Sequence, residues 1–471
     1  MIQAHKTQRE SPSRRWLRDV AAVAVFLTLL AGMSWRLYEH RGLEGPATAD
    51  RWALGSYRDA TYYPLRAVYD GVNPYDTVRD GDPNRYMQRY PVYDTLPLYS
   101  PLILMVFAPL AVLPYGASGI AFTAINVVLF VVLAWVTLRV IGRRPGVAGV
   151  FGLATLLLAS QPGRGTFNAG QVAVPLAIAA LGALHWGDRK AWKSSAYLAF
   201  LTLKPTSGGP LGLLLAARRD WRSMLGGFAA GGILCVVGIV IIFSRSGDLS
   251  VAKVAQVLLR NQSDFAEDPT SVPQTNKGRI DIPAVVEYLA GNSLPDWGIA
   301  LVAVGVLAIT GWVLWRADRP GTVQSAASTT SALAILAMFV CVYHNIYDLP
   351  LLIVPIAACA TAAHASWKEV APLWRWILFA LLVIPMVNFF WTDGFRLILA
   401  QGGIRWGASS GSFAAGLYAF CCAANGLALT IAWAILLVCV ARGGPEKAPQ
   451  KSRQFLRKQL RTESVAASPT A

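Results

Sequence analysis

The apolar residues of this chain fall into long blocks separated by short polar stretches. The blocks are Val20–Leu37, Ala117–Leu138, Leu225–Phe243, Ile299–Trp315, Thr330–Val342, Leu349–Ala363, Trp374–Asn388 and Phe413–Val440. A bilayer core is about 30 Å thick, so a spanning helix needs about 20 mostly apolar residues. Backbone amides in hydrocarbon must bond within the protein, which a helix does internally. The alternation of apolar and polar positions that a barrel requires is absent. The pattern predicts an all-α polytopic membrane protein with roughly 10–13 transmembrane helices. Val20–Leu37 is long, ends in Arg36 and lacks a small-residue cleavage site, so it is expected to be a retained first span.

Composition sharpens this. The 471 residues are 55% hydrophobic and 14% charged, and a soluble chain carries about a quarter charged residues. The net charge of +16 is concentrated at the ends and in short loops. Basic residues crowd a segment 1–16 and a polar tail 442–471 that is expected to be disordered. Between them lies the membrane domain, 17–441. The positive-inside rule then places both termini in the cytoplasm, with Arg218–Arg222 and Arg316–Arg319 on the same side. No aromatic–basic interleaving accompanies the charge, so nucleic acid is not an expected partner. The six cysteines all lie in apolar blocks without metal-ligand spacing and read as small buried hydrophobes.

Two large loops, 38–98 and 246–296, fall on the far side and are expected to be structured. Ile282–Ala290 suits a short helix there. Arg143 and Arg144 also belong inside by charge. That requires either Ser100–Pro114 or Ser194–Ala217 to be a re-entrant or broken pair of short helices, and the prolines in both segments allow it. No internal repeat of a secondary transporter is evident.

The polar chemistry concentrates opposite the basic loops, which argues for an active site at the outer surface of the plasma membrane. In order, it comprises Ser56-Tyr57-Arg58-Asp59-Ala60-Thr61-Tyr62-Tyr63, Gly71-Val72-Asn73-Pro74-Tyr75-Asp76, Tyr99-Ser100-Pro101-Leu102, Phe167-Asn168-Ala169-Gly170-Gln171, Leu203-Lys204-Pro205 and Tyr343-His344-Asn345-Ile346-Tyr347-Asp348. This succession resembles the polyprenol-phosphate-mannose-dependent mannosyltransferases, glycosyltransferase family 87. The likeness covers about residues 17–440. It implies a GT-C membrane fold and a sugar, most often mannose, moved from a polyprenyl-phosphate donor to an envelope glycolipid or glycan acceptor. Tyr99-Ser100-Pro101 departs from the family in having Ser where many members have Pro, and a single His stands at 344 where some have two.

A lipid-phosphate sugar carries its own leaving group, so such an enzyme needs a base for the acceptor hydroxyl and cations or donors for the phosphate. One carboxylate serves a single inverting displacement. Asp59 is the candidate base, flanked by Tyr57, Tyr62 and Tyr63 as sugar or acceptor contacts; otherwise it is a loop carboxylate paired with Arg58 or Arg66. Lys204 is the one charge in Ala196–Leu215, and charges at membrane depth are costly and usually functional, which makes it a candidate phosphate ligand. His344 and Arg164 are further candidates for the phosphate. Asn168 and Gln171 either bind sugar hydroxyls or hold a helix start. Asn73, Tyr75, Asp76 and Tyr347 are expected to shape the surroundings. Asp80-Gly81-Asp82 has the look of a solvated turn, so neither metal nor cofactor is expected. The competing readings are an arabinofuranosyltransferase of similar fold and a transporter or flippase of polyprenyl-linked sugars.

Overall fold

A computed structural model describes residues 11–40, 54–75, 86, 89–92, 100–187, 190–247, 249–257, 259, 276–318, 325–401 and 412–443. Asp76, Asp80 to Asp82, Tyr99, much of loops 38–98 and 246–296, and nearly all of the tail 442–471 lie outside the described residues. Those described are almost wholly helical; their one β feature is an isolated antiparallel bridge between Arg279 and Asn345.

The chain opens with α1 (Pro12–His40), which begins inside the expected terminal segment, and continues through α2 (Gly55–Tyr57), a π turn (Arg58–Tyr62) and α3 (Tyr63–Tyr69). Next come α4 (Pro101–Phe107), α5 (Tyr115–Val140), α6 (Val147–Ala159), α7 (Gln161–Ala169) and α8 (Ala173–Trp186). The centre holds α9 (Ala191–Leu201), α10 (Pro205–Ala217), α11 (Trp221–Arg245), α12 (Ile282–Ala290) and α13 (Asp296–Ala317). The last part holds α14 (Thr329–Cys341), a 3₁₀ segment (Ile346–Leu352), α15 (Ile353–Thr361), α16 (Ala365–Glu369), α17 (Pro372–Val387), α18 (Asp393–Gln401) and α19 (Ser412–Gly443). The helix expected at Ile282–Ala290 is α12, started by the Asp281 side chain, which accepts from the Ala284 N–H.

Five helices (α1, α5, α11, α13 and α19) are long and apolar enough to cross a membrane, and shorter apolar helices accompany them. Their outer surfaces are frankly apolar: Ile120 is 74% and Leu156 66% exposed. In water that surface would be a large exposed apolar patch; against lipid it costs nothing. By contrast α14, with all thirteen residues buried, runs through the middle of the bundle.

Contacts along the chain trace its path. The Ala148 N–H at the start of α6 bonds Asp19 near the start of α1. Arg218 bonds Asp318 and Ser331, and Trp367 bonds Ala327. These contacts gather the described basic loops at one end of the bundle. At the other end Tyr57 meets Ser118, and Leu54 meets Asn168.

Both candidate segments for a broken pair are in fact broken. α9 rises from the basic end beside α11, and α10 returns to it. Gly226 and Gly227 of α11 admit this approach: a β-carbon at Gly226 would stand 2.5 Å from Ser195 Oγ, and one at Gly227 2.7 Å from Leu198 Cβ. From the opposite end, α4 starts at Pro101 against Gly238 of α11. The two broken elements meet where the Ser100 N–H donates to the Leu203 carbonyl at 3.1 Å.

Candidate active site

Pro205 creates the tip of the α9–α10 hairpin. A proline ring excludes the preceding residue from the helical region, and Lys204 accordingly adopts φ −115°, ψ 99°. The helix ends at Leu201 and restarts at Pro205, leaving Lys204 on the apex, 7% exposed. Its Nζ lies 2.5 Å from Asp348 Oδ2 and 5.4 Å from the centre of the Tyr347 ring. The same Asp348 oxygen accepts the Asn345 N–H at 3.0 Å, and Asn345 Oδ1 accepts the Ile346 N–H at 2.7 Å. This reciprocal cap fixes the start of the 3₁₀ segment and so holds Asp348 under the lysine. An ammonium has three donors, and one goes to Asp348.

His344 sits beside this pair, wholly buried. Its Nδ1 is 3.1 Å from the Val342 carbonyl, which can only accept, so that nitrogen carries a proton. Its Nε2 is 3.1 Å from Ser207 Oγ in the first turn of α10. With both nitrogens engaged, His344 ties the turn to the hairpin and presents no free nitrogen to a ligand.

A neighbouring segment, absent from the sequence-derived candidates, braces the turn. The Ile280 N–H donates to the His344 carbonyl, and the Ile346 N–H to Gly278, at 3.1 and 2.8 Å. Arg279, between them, grips Asp281 (Nη2 to Oδ1 2.7 Å) and lies 5.1 Å from the centre of the Tyr343 ring. Burial works against the Arg279 cation, but Asp281 outweighs it and holds the guanidinium above its ordinary pKa. The legible signal was Arg279-x-Asp281 placed before Pro283, an acid in capping position; Ser207 carried none.

Asp59 lies in a second cluster, on the π turn. There the Tyr63 N–H reaches back to the Arg58 carbonyl, five residues away. Pro64, with no N–H and a ring that crowds the carbonyl four residues before it, favours this widening, and such turns recur at functional sites. Asp59 is 6% exposed and doubly held by Arg58, from Nε at 2.7 Å and Nη2 at 3.0 Å. Arg66 pairs with Asp70, as do Arg89 and the Tyr90 hydroxyl.

The flanking tyrosines differ. Tyr57 is fully buried, its hydroxyl on Ser118 at 2.5 Å and its ring stacked on Phe122, so it is packing behind Asp59. Tyr62, 5% exposed, donates to the Leu113 carbonyl at 2.9 Å. Tyr63, half-buried, stacks on Tyr115 at 5.8 Å. Asn73 Oδ1 accepts the Tyr75 N–H at 3.0 Å, a side-chain-closed turn in which Tyr75 is buried.

α7 joins the two clusters. At its C-terminal end the Asn168 carbonyl accepts the Leu54 N–H at 2.7 Å, and Gln171 Nε2 lies 2.6 Å from Ser56 Oγ. At mid-helix Thr166 Oγ1 donates to the Tyr347 carbonyl at 2.9 Å. Gly170 ends it with φ +71°, and a β-carbon there would stand 2.7 Å from Tyr57 Cβ. The motif Asn168-Ala169-Gly170-Gln171 is thus a helix end that lets the Asp59 loop close on α7. The Asn168 side chain is half-buried, while Arg164 lies 5.3 Å from the centre of the Phe389 ring. His344, Tyr347 and Asp348 therefore share one turn with Lys204 set against it, and α7 bonds both that turn and the segment just before Asp59. Among the described residues no group of three or more His, Cys, Asp or Glu could hold a metal.

The described residues form a helical membrane bundle with a buried cation on a broken-helix tip and a buried carboxylate on a loop tied to the same helix, α7, as the Tyr347 turn. The family model of glycosyltransferase family 87 matches residues 98–343, more than half of the chain, and the chain belongs to that family. It is a membrane glycosyltransferase with a GT-C type of fold. No curated protein and no solved structure matches it. The matched stretch contains Arg164, Asn168, Gln171, Lys204 and Arg279; Asp59 and the turn from His344 to Asp348 lie outside it. Broken helices at membrane depth, which a transporter would also use, do not separate the two classes here; the family does.

Proposed function

We propose that the enzyme moves mannose from a polyprenyl-phosphate donor to an envelope glycolipid or glycan by one inverting displacement that needs no metal. The acceptor oxygen bonds to the anomeric carbon as the bond to phosphate breaks. The proton passes to Asp59, and polyprenyl phosphate leaves as an anion. The observation that carries this reading is Lys204, a buried cation on a helix break, with donors beyond the one given to Asp348. A departing phosphate is the partner such a charge suits.

In this scheme each Asp59 oxygen keeps a lone pair for the acceptor hydroxyl while Arg58 orients the carboxylate. Tyr62, Tyr63, Asn168 and Gln171 contact the sugar or acceptor, and Arg164 supplies a further cation. His344 and Tyr347 position Lys204 and Asp348. The enzyme resides in the plasma membrane with the site on the extracytoplasmic face and both termini in the cytoplasm, the orientation that the basic loops favour.

The test is transfer from radiolabelled polyprenyl-phosphate mannose into membrane lipids and glycans, with wild type and Asp59→Asn. Loss confined to the variant supports both donor and base. Full transfer by Asp59→Asn removes Asp59 as the base. No transfer by folded wild type overturns the mannose donor, and transfer from the arabinose lipid would then replace it.

A further inference from the structure

At the basic end of the bundle, at the opposite end of α14 from the His344 turn, a cavity of about 610 Å³ opens between α13, α14, α16, α17 and α19. Its volume falls in the range of ligand-binding clefts. The wall from α19 includes the apolar Ala434, Ile435 and Val438, and Arg442 follows Val438 by one helical turn. Glu369, the last residue of α16, stands across the mouth. Its Oε2 lies 3.9 Å from where a β-carbon on Gly443 would be, so a carboxylate sits at the C-terminal end of α19. That end carries partial negative charge, and an acid there is disfavoured unless a cation joins it. Among the described residues neither Glu369 nor Arg442 forms a salt bridge.

We infer that this cavity binds a zwitterionic, ammonium-bearing phospholipid from the leaflet on the basic side. The lipid phosphate meets Arg442, its ammonium meets Glu369, and an acyl chain lies along Ala434, Ile435 and Val438. The charges complement in sign and order: a purely anionic head would satisfy Arg442 but face Glu369 with like charge. Trp374, 46% exposed on the rim, marks headgroup depth. Occupancy has a consequence for the hairpin. Thr330, in the cavity wall, lies 3.5 Å from the guanidinium of Arg218, which ends α10 and pairs with Asp318 at 2.8 Å. A lipid held here braces the base of the hairpin whose tip carries Lys204.

The experiment uses the full chain, purified in detergent and stripped of lipid. Phosphatidylethanolamine or phosphatidylglycerol with the same acyl chains is added, and binding is read by native mass spectrometry and thermal unfolding. Wild type should hold one phosphatidylethanolamine in preference to phosphatidylglycerol. Glu369→Gln should lower that preference roughly fivefold, and Arg442→Gln should weaken both lipids. Val438→Trp, which fills the groove without touching either charge, should exclude both. Equal binding of the two lipids by wild type, or a preference that survives Glu369→Gln, overturns the inference. So does a chain ending at Gly443 that gains phosphatidylethanolamine binding the full chain lacks, since residues 444–471 would then be the occupant.

Discussion

Asp348 and Asp59 are both buried against a cation, but their partners come from different distances along the chain. Arg58 is the immediate neighbour of Asp59, so that pair forms wherever the loop goes. Lys204 is 144 residues from Asp348, and their contact joins the α9–α10 hairpin to the 3₁₀ segment. The first pair orients one carboxylate; the second holds two elements together. A local pair can therefore lose one partner with the fold intact, whereas a long-range buried pair that loses one partner costs stability.

The largest effect is expected of Lys204→Met. It strands Asp348 in a buried site, and removing one partner of a buried pair costs about 3–5 kcal/mol. Thermal unfolding in detergent should show that loss, and transfer should vanish with it. Lys204→Met with Asp348→Leu should recover much of the stability without recovering transfer. A double variant that transfers normally would show that Lys204 is only a tether. Asp59→Asn should behave the other way round. The loss of a general base lowers transfer about 10²- to 10⁴-fold, while the unfolding temperature should stay near that of wild type because the amide still fits beside Arg58. A large drop in stability would give Asp59 the structural part assigned to Asp348.

Much of this arrangement was legible beforehand, and the exceptions share a cause. The apolar blocks located the long helices, Ile282–Ala290 was legible as a short helix and is α12, and the charge of Arg143 and Arg144 demanded a broken segment. Hydropathy could not say that both proline-rich segments break, because each break is completed by the other through Ser100 and Leu203. Nor could it separate α14 from α11. The most apolar window of α11 is 22% buried and α14 wholly so, yet both are equally apolar, since lipid and core present the same chemistry. The same blindness affects Tyr57 and His344. Their residue types suit a ligand, but Phe122, Ser118, Val342 and Ser207 decide that they face inward. Asp348, legible only as the last residue of the Tyr343–Asp348 motif, proved to be the partner of Lys204.

Between the two clusters, Gly170→Ala tests whether α7 couples them. The residue must hold φ +71°, which costs a non-glycine residue about 1–3 kcal/mol, and its new methyl would press on Tyr57. The expected result is a lower unfolding temperature together with reduced transfer, because the Asp59 loop can no longer close on α7. A variant with normal transfer and only reduced stability would mean that the loop's position on α7 does not matter to the reaction.

The smallest effect is expected at Ser207. Ser207→Ala removes one neutral hydrogen bond to His344, worth about 1 kcal/mol. It leaves the protonated Nδ1 on Val342 and the Lys204–Asp348 pair untouched. If His344 positions the hairpin, Ser207→Ala and His344→Gln should both raise the KM for the lipid donor modestly with kcat little changed, His344→Gln losing more stability because it also gives up the Val342 bond. If His344 itself touches the phosphate, the two must diverge, with His344→Gln losing kcat and Ser207→Ala keeping it. That split separates a group that holds Lys204 in place from one that itself touches the donor.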